Sequence, residues 1–297
     1  MLNLSSRQKF LLAFIESFME PLGAIDLMKL LFLYCKQHRV LCYSFFPYLY
    51  GCFSYEVYKD KRALIEKGFL VNDENHFIPV GQLIAFSELK YEDRAKLSLF
   101  KRQTASLRGN SLIRKTYLEY PEYAKLSTIR EDVLSPQEIA TLFYSAELPF
   151  EKRETIYTIG YEGISIDEYL RRLVKADIDI LIDVRKNPKS MKFDFNSKKL
   201  ADYLKKVSIA YEGMPDLGIP SAFREHLDSD SDYQKLFDFY EVELLPLHID
   251  KLKKIADLVK EGHKVVLTCF EKDYNHCHRY RIAKRLREDF QFEIVNL

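Results

Sequence analysis

The 297-residue chain lacks an excess of charge of either sign, since 45 Lys and Arg residues oppose 44 Asp and Glu residues for a formal net charge of +1. This balance excludes a polycationic coat for nucleic acid, so a nucleic-acid interface would have to come from a local basic patch. Cysteine is also scarce, with 5 residues spread through the chain. An odd number of scattered cysteines favours reduced thiols over a disulfide framework.

Long apolar runs are missing as well, and none approaches the roughly 20 residues that a membrane-spanning helix requires. The opening segment, Met1–Arg7, does not have the pattern of a signal peptide. We therefore expect a soluble, cytoplasmic protein with no membrane partner. A hydrophobic content of 47% is enough for one large or two ordinary cores.

The sequence pattern predicts two domains. Up to about Tyr144 it is helical with one hairpin, and from Thr155 onward strands alternate with helices. The segment Glu147–Glu154 between them contains a proline, a charge run and no apolar period, which is typical of a connection. We predict a recognition domain over residues 1–146 and a Rossmann-like domain over residues 154–297.

The first domain has the element order of a winged helix. Apolar spacing predicts helices over Arg7–Phe18 and Ala24–Gln37, and Ser54 is placed to cap a third helix that ends at Gly68. Two short β-rich runs, 69–71 and 76–78, follow with a turn between them and predict a hairpin.

This region is similar to the SocA-like (Panacea) antitoxin-associated family. The residues that carry the resemblance are the runs Leu27–Leu33, Tyr50–Ser54 and Leu64–Leu70. The resemblance implies that the domain binds either DNA or a protein partner. It also implies a role in phage defence or another genetic conflict.

Two basic surfaces of the first domain are nucleic-acid candidates. Lys59 and Arg62 lie on the third helix, which is the recognition helix of the winged-helix order. The second surface lies on predicted helices around Gly109 and comprises Lys101, Arg102, Arg108 and Arg114. For both surfaces the alternative is a solvated helix face that binds no nucleic acid.

The second domain is predicted to be an α/β domain with a mostly parallel, five-stranded sheet and helices on both faces. The strands are predicted at Thr155–Gly160, Ile178–Val184, Ile209–Tyr211, Lys264–Thr268 and Phe292–Val295. Because the carboxyl ends of parallel strands share one edge, the polar residues that follow them should converge on one crevice. These residues are Tyr161, Asp183, Arg185, Tyr211, Cys269 and Glu271.

The same motifs resemble a bacterial family, the domain of unknown function numbered four-eight-eight. The resemblance is carried by Thr158–Tyr161, Asp183–Ser190, Leu217–Gly218, Cys269–Glu271 and Cys277–Arg279. Ile219 stands where the family often has a second glycine. The resemblance implies a shared pocket and no settled reaction.

The loop after the second strand is predicted to bind an anion. Arg185, Lys186 and Ser190 provide cationic and hydroxyl groups for a phosphate, and Arg279 is predicted to assist them. The alternative is that Arg185 only pairs with Asp183 or Glu271. Tyr161 and Tyr211 at the same edge are predicted to contact a nucleic-acid base.

Proton transfer is assigned to Asp183 and Glu271, and burial is expected to raise the pKa of Glu271 toward a useful value. The alternatives are that Asp183 caps a turn and that Glu271 forms a buried salt bridge with Arg279. Cys277 opens a helix whose dipole, together with Arg279, is expected to lower the pKa of the thiol and favour a nucleophile.

Other thiol chemistry is disfavoured. Phosphatases and rhodaneses need an arginine six residues after the catalytic cysteine. The residue six positions after Cys277 is Ala283. A metal site from Cys269, His276, Cys277 and His278 conflicts with the rarity of adjacent ligands on one tetrahedral ion, so we predict no metal and no cofactor. The alternative for Cys269 and His278 is a structural role, as a buried apolar residue and a hydrogen-bonded residue at a helix start.

The leading hypothesis is an enzyme that hydrolyses or cleaves nucleic acid or a nucleotide at a base, sugar or phosphate. The alternative is a sensor of nucleotides or modified DNA without turnover, acting as a transcriptional regulator or an antitoxin-like protein. The sequence leaves the oligomeric state open.

Overall fold

The computed structural model describes residues 3–81, 84–143, 154–224, 227 and 229–297. The chain forms two compact units that divide between Glu147 and Leu148. The predicted connection Glu147–Glu154 lies, except for its last residue, outside the described residues. None of the helices in the described ranges has the length and apolarity needed to span a bilayer.

The first unit is mainly helical. Its helices are α1 (Ser6–Phe18), α2 (Ala24–His38), α3 (Tyr55–Glu66), α4 (Ile84–Glu88), α5 (Tyr91–Gln103), α6 (Gly109–Glu119), α7 (Arg130–Val133) and α8 (Pro136–Phe143). Its short strands are β1 (Leu22–Gly23), β2 (Phe46–Tyr48), β3 (Gly51–Phe53) and β4 (His76–Phe77).

The strand pairing in this unit includes the predicted hairpin. β4 pairs antiparallel with β1, and Leu70 forms a bridge with Pro79, so the predicted hairpin is present with β1 as an additional partner. Ser54 caps α3 by accepting a hydrogen bond of 3.4 Å from the Val57 amide, as predicted.

The β2–β3 hairpin is absent from the sequence predictions. Gly51 turns it with a φ of +94°, a conformation that favours glycine. A Cβ at this position would lie 2.6 Å from Cε1 of the Tyr117 ring. Both backbone conformation and packing therefore require glycine at this turn.

The second unit contains a five-stranded sheet in which every strand is parallel, as predicted. Its strands are β5 (Thr155–Gly160), β6 (Ile180–Asp183), β7 (Ala210–Gly213), β8 (Val265–Cys269) and β9 (Glu293–Asn296), in the spatial order β7-β6-β8-β5-β9. Its helices are α9 (Ile166–Lys175), α10 (Ser197–Lys206), α11 (Asp230–Phe239), α12 (Ile249–Lys260) and α13 (His278–Phe290).

The central strand β8 shows how helices cover both faces of the sheet. Val265 and Leu267 belong to a core that also contains α12 and α13 residues such as Ile255 and Ile282. Thr268 lies on the opposite face, where its hydroxyl accepts a hydrogen bond of 2.6 Å from Tyr169 of α9.

The connections of the sheet create a crevice at its carboxyl edge. The loop after β5 leads to α9, and right-handed crossovers place α10, which follows β6, on the same face. The loop after β8 leads instead to α13 on the other face. Neighbouring strands whose connections leave in opposite directions open a crevice between their loops, which is where ligands bind in α/β folds.

Candidate active site at the carboxyl edge of the sheet

Two buried polar clusters lie at this edge. The first, called the ion-pair cluster, consists of Tyr161, Asp183, Arg185 and Tyr211. The second, called the thiol cluster, consists of Cys269, Glu271, Cys277 and His278. The predicted convergence of strand-end residues therefore occurs, but the residues divide into two groups.

Arg185 and Asp183 form the centre of the ion-pair cluster. The Arg185 Nε donates to Oδ1 of Asp183 at 2.8 Å and Nη2 donates to Oδ2 at 2.5 Å, so the pairing is bidentate. Nη1 donates to the Tyr161 hydroxyl at 2.8 Å and to the Phe195 carbonyl at 2.9 Å. Arg185 is 5% exposed and Asp183 is 1% exposed.

This pairing changes the role of both residues. Burial opposes the charge of Arg185, but hydrogen bonds from the guanidinium to Asp183 and the charge of that carboxylate outweigh burial and raise the pKa of the guanidinium. The Asp183 carboxylate is fully occupied by Arg185 and Tyr211. The prediction of Asp183 as a proton-transfer group and of Arg185 as an anion ligand is thus replaced by the alternative, a buried salt bridge.

The two tyrosines of the cluster are also structural in this geometry. The Tyr161 ring is 3% exposed and stacks on Phe195 with 4.3 Å between ring centroids, so no base can stack on it. Tyr211 donates from its hydroxyl to Oδ2 of Asp183 at 2.8 Å. Burial, with the nearby Asp183 charge, raises the pKa of Tyr211.

The thiol cluster centres on Glu271. Its Oε2 accepts hydrogen bonds from the Cys269 thiol at 3.1 Å and from the Cys277 thiol at 3.0 Å. Burial would raise the pKa of the Glu271 carboxyl, but the hydrogen bonds from Cys277 and Cys269 outweigh burial and lower it. The prediction of a raised pKa is therefore wrong, and Glu271 is ionised at neutral pH.

Cys277 is a protonated donor in this cluster. It is 1% exposed, and burial, reinforced by the neighbouring Cys269, raises the pKa of its thiol well above the ordinary value. The expected helix-dipole effect at the start of α13 is too small to reverse this. The prediction of a lowered pKa for Cys277 is therefore wrong, and its role as a nucleophile stays a prediction.

His278 contacts the carboxyl ends of both β6 and β8. Its Nε2 lies 2.9 Å from the Val184 carbonyl oxygen, and its Nδ1 lies 3.7 Å from the Cys269 sulfur. Burial disfavours a charged imidazole, but the contacts with Cys277 and with the Val184 carbonyl outweigh burial and raise the pKa of His278.

Three of the four residues considered for a metal come together. The side-chain ligand atoms of Cys269, Cys277 and His278 all lie within 4.8 Å of one another. His276 is separate, because its ring pairs with Asp230 at 3.3 Å and with Asp273 at 3.5 Å.

Arg279 positions the loop that carries Glu271. It is 2% exposed, and its Nη1 and Nη2 donate to the Glu271 and Lys272 carbonyl oxygens at 2.6 Å and 3.3 Å. A Cβ at Gly160 would lie only 1.9 Å from the same Glu271 carbonyl oxygen. Arg279 is therefore a loop-positioning residue that contacts the Glu271 carbonyl rather than the Glu271 carboxylate, and its phosphate contact stays a prediction.

A cleft of about 360 Å³ opens above both clusters. Its lining includes Tyr161, Arg185, Lys186, Lys189, Ser190, Lys192, Arg224, Cys269, Phe270 and Glu271. In the described part of the chain, Lys186, Lys189 and Arg224 have no ion-pair partner. The cleft therefore combines an ionised carboxylate with cationic groups that are available to a ligand.

The loop after β6, which is predicted to bind an anion, presents Lys186 to the cleft. Lys186 is exposed at the cleft, and Ser190 fixes the loop by donating its amide hydrogen to Asn196 at 2.8 Å. Gly218 packs against this loop, since a Cβ there would lie 2.2 Å from the Lys186 backbone nitrogen. This contact explains the glycine of the Leu217–Gly218 motif.

Arg224 and Phe270 are absent from the sequence predictions. Arg224 lies in a short 3-10 turn, Ser221–Arg224, that follows no strand, so no pattern points to it. Phe270 stands between two predicted site residues, and its ring is 42% exposed. An apolar residue inside the Cys269–Glu271 motif was the available signal.

The basic residues of the first unit are only partly available. Arg108 pairs with Glu20 at 2.7 Å and Arg114 pairs with Glu138. Lys59, Arg62 and Arg102 are exposed, and Lys101 is half-buried. The second predicted patch thus loses two of its four cations to ion pairs.

Residues 165–286 match the family model of DUF488, a domain of unknown function. The match includes the Asp183–Ser190, Cys269–Glu271 and Cys277–Arg279 motifs and begins after Thr158–Tyr161. No curated protein and no solved structure matches the chain. Both polar clusters therefore contain residues of the DUF488-like region, whereas the SocA-like resemblance of the first unit stays a prediction.

Proposed function

We propose that the cleft of the DUF488-like region binds a nucleotide or a nucleic-acid strand and hydrolyses a bond at its base, sugar or phosphate. One observation carries this proposal: the ionised Glu271 lines a cleft whose wall also carries Lys186, Lys189 and Arg224, which have no ion-pair partner among the described residues. Phosphate oxygens are suitable partners for these cations. A carboxylate beside them is suited to accept a proton from an attacking water.

Asp183 and Glu271 differ in their ability to accept a proton from water. Both oxygens of Asp183 accept hydrogen bonds from Arg185, and Oδ2 also accepts one from Tyr211. The thiol hydrogen bonds to Glu271 come from weak donors and reach one oxygen of the carboxylate. Proton transfer is therefore assigned to Glu271 alone.

The exposed ring of Phe270 supports a ligand that contains a base. It contacts the Tyr161 ring edge-to-face with 5.4 Å between centroids, which holds it in place beside Glu271. Aromatic faces next to cations bind unpaired bases by stacking. This position replaces Tyr161 and Tyr211 as the predicted contact for a base.

A second candidate is a sensor that binds the same ligand without turnover. The observation that favours it is the enclosure of Asp183 in a salt bridge, which leaves a single carboxylate for acid–base chemistry. Such a protein would act as a regulator or an antitoxin-like factor. The proposed role in phage defence rests on the SocA-like resemblance and stays a prediction.

The test uses the full-length protein with single-stranded DNA, duplex DNA, modified-base DNA and free nucleotides across a salt series, followed by mass spectrometry of the products. The variant Lys186→Gln/Lys189→Gln should weaken binding and lower the salt slope by about 1 per lost phosphate contact. Lys235→Gln/Lys253→Gln, with the same charge change outside the cleft, should bind like the wild type.

Turnover is tested separately with Glu271→Gln. A new base, nucleoside or strand-break product from the wild type, lost in Glu271→Gln with binding retained, supports the enzyme. Binding without product in either protein supports the sensor. Equal binding by the two lysine variants, or no binding to any of these ligands, contradicts both candidates.

A further inference from the structure

We infer that Cys269, Cys277 and His278 form a binding site for a zinc ion beside the cleft, which Cys269 lines. Their ligand atoms lie within 4.8 Å of one another, and all three residues are buried. Two thiolates and an imidazole are a ligand set that suits zinc. This inference goes beyond the proposed function and does not depend on a nucleic-acid ligand.

The distances fit a tetrahedral ion. Bond lengths of about 2.3 Å to sulfur and about 2.0 Å to nitrogen would place these two ligand atoms about 3.5 Å apart. The Cys269 sulfur and His278 Nδ1 are separated by 3.7 Å. Binding requires that the two thiols release their protons to solvent and that the His278 Nδ1 lone pair is free.

The surroundings of His278 match those of a metal ligand. Its Nε2 is 2.9 Å from the Val184 carbonyl oxygen, so Nε2 carries the hydrogen and Nδ1 is directed to the sulfurs. A metal-binding histidine usually donates its other ring hydrogen to a carbonyl or carboxylate in this way. This contact is a second observation that is independent of the clustering itself.

The backbone explains how two adjacent residues reach one ion. Cys277 is the extended N-cap of α13, with φ −136° and ψ 133°, and His278 is the first residue of the helix. The change from extended to helical backbone brings both side chains to the same point. The N-terminus of this 13-residue helix also favours the negative charge of the thiolates.

Glu271 stands beside this site. Its Oε2 contacts both sulfurs at 3.1 Å and 3.0 Å, and it lines the cleft together with Cys269. We assign the fourth metal position to solvent from the cleft, with Glu271 as its neighbour. Zinc sites with three protein ligands and one solvent position are the catalytic type.

The first measurement is titration of the chelator-treated, reduced, full-length protein with Co²⁺ under anaerobic conditions. We expect saturation at one Co²⁺ per chain, the visible bands of a tetrahedral ion, thiolate charge-transfer absorption and displacement by Zn²⁺. X-ray absorption of the zinc form should count two sulfur ligands. The octahedral spectrum of free Co²⁺, or a Cys269–Cys277 disulfide with no bound metal, would overturn the assignment.

Variants then identify the ligands. Cys277→Ser should weaken Co²⁺ binding by about 100-fold or more, because loss of a mere supporting contact already costs about 10–100-fold. Cys42→Ser, in the other unit, should bind normally. Glu271→Gln should keep one ion with two sulfur ligands, and loss of the ion in this variant would contradict the three-ligand assignment. If Cys277→Ser does not fold, the sulfur count of the wild type decides.

Discussion

The ion-pair cluster and the thiol cluster lie side by side at the same sheet edge, and each contains one acid, buried in the first and half-buried in the second. In the ion-pair cluster, Asp183 is neutralised by Arg185 in a bidentate pair. In the thiol cluster, Glu271 is stabilised chiefly by thiol hydrogen bonds and lines a cleft. The comparison shows that the acid nearest a buried arginine becomes structural, and the acid without one remains available for chemistry.

The prediction with the largest expected effect tests whether the buried Arg185 depends on Asp183 as its counter-ion. Asp183→Asn leaves the buried Arg185 charge without a counter-ion, and we expect a loss of about 3–5 kcal/mol in the free energy of unfolding. Urea denaturation measures this loss. Glu212→Gln is the control, because its pair with Lys254 is partly exposed and should contribute about 1 kcal/mol or less.

A cost of about 1 kcal/mol or less for Asp183→Asn would contradict the comparison. It would mean that Arg185 finds other acceptors or water at this edge, and that the ion-pair cluster is as open as the thiol cluster.

The next effect concerns the backbone that supports Glu271. In Gly160→Ala the new Cβ would lie 1.9 Å from the Glu271 carbonyl oxygen, so the loop has to move. We expect a loss of about 1–3 kcal/mol in thermal or urea unfolding. Gly213→Ala is the control on β7, where the nearest atom would be at 3.9 Å and we expect a change below about 1 kcal/mol.

If Gly160→Ala and Gly213→Ala have the same stability, the Glu271 loop adapts freely. The precise position of Glu271 would then not depend on the sheet.

The smallest effect is the pH dependence that Glu271 contributes. Its folded-state pKa is lowered from the ordinary value of 4.5, so the unfolded chain binds more protons at acid pH. This stabilisation is present above pH 4.5 and is lost as the pH falls through the folded-state pKa. The stability difference between the wild type and Glu271→Gln should therefore narrow as the pH falls below 4.5.

The hydrogen-bond origin of this effect is tested with Cys277→Ala. This variant removes one of the two thiol donors and keeps the carboxylate, so the pH-dependent component should become smaller. If Cys277→Ala shows the same pH dependence of stability as the wild type, the hydrogen bond from Cys277 is not the cause of the lowered pKa of Glu271.

The sequence predicted the fold of the second unit well because the apolar runs of its strands and the alternation of strands with helices are both local patterns. Apolar runs such as Val265–Leu267 identify buried strands, and the alternation with helices implies parallel pairing. The convergence of Asp183 and Glu271 at one edge followed from this topology. The cap at Ser54 and the hairpin contact between Leu70 and Pro79 in the first unit were similarly readable from short-range patterns, whereas the winged-helix assignment stays a prediction.

Side-chain pairing was not readable in the same way. Arg185 is two residues from Asp183, whereas its other partner Tyr161 precedes it by 24 residues, and no local pattern ranks these options. The predicted pKa of Glu271 failed for the same reason, since its direction depends on two thiols that approach the same oxygen. Arg108 and Arg114 pair with acids on other segments, which no local pattern indicates.

What the sequence determined by itself is the set of elements, the parallel sheet and the edge at which its polar residues gather, because these depend on periodicity and chain direction. Only the tertiary structure decided which acid is paired, that Cys269, Cys277 and His278 come together, and which cations face the cleft. The physical reason is that hydrogen bonds and ion pairs form or fail with changes of a few tenths of an ångström in the distance between groups that are far apart in the chain. Those distances exist only after the helices and loops have packed.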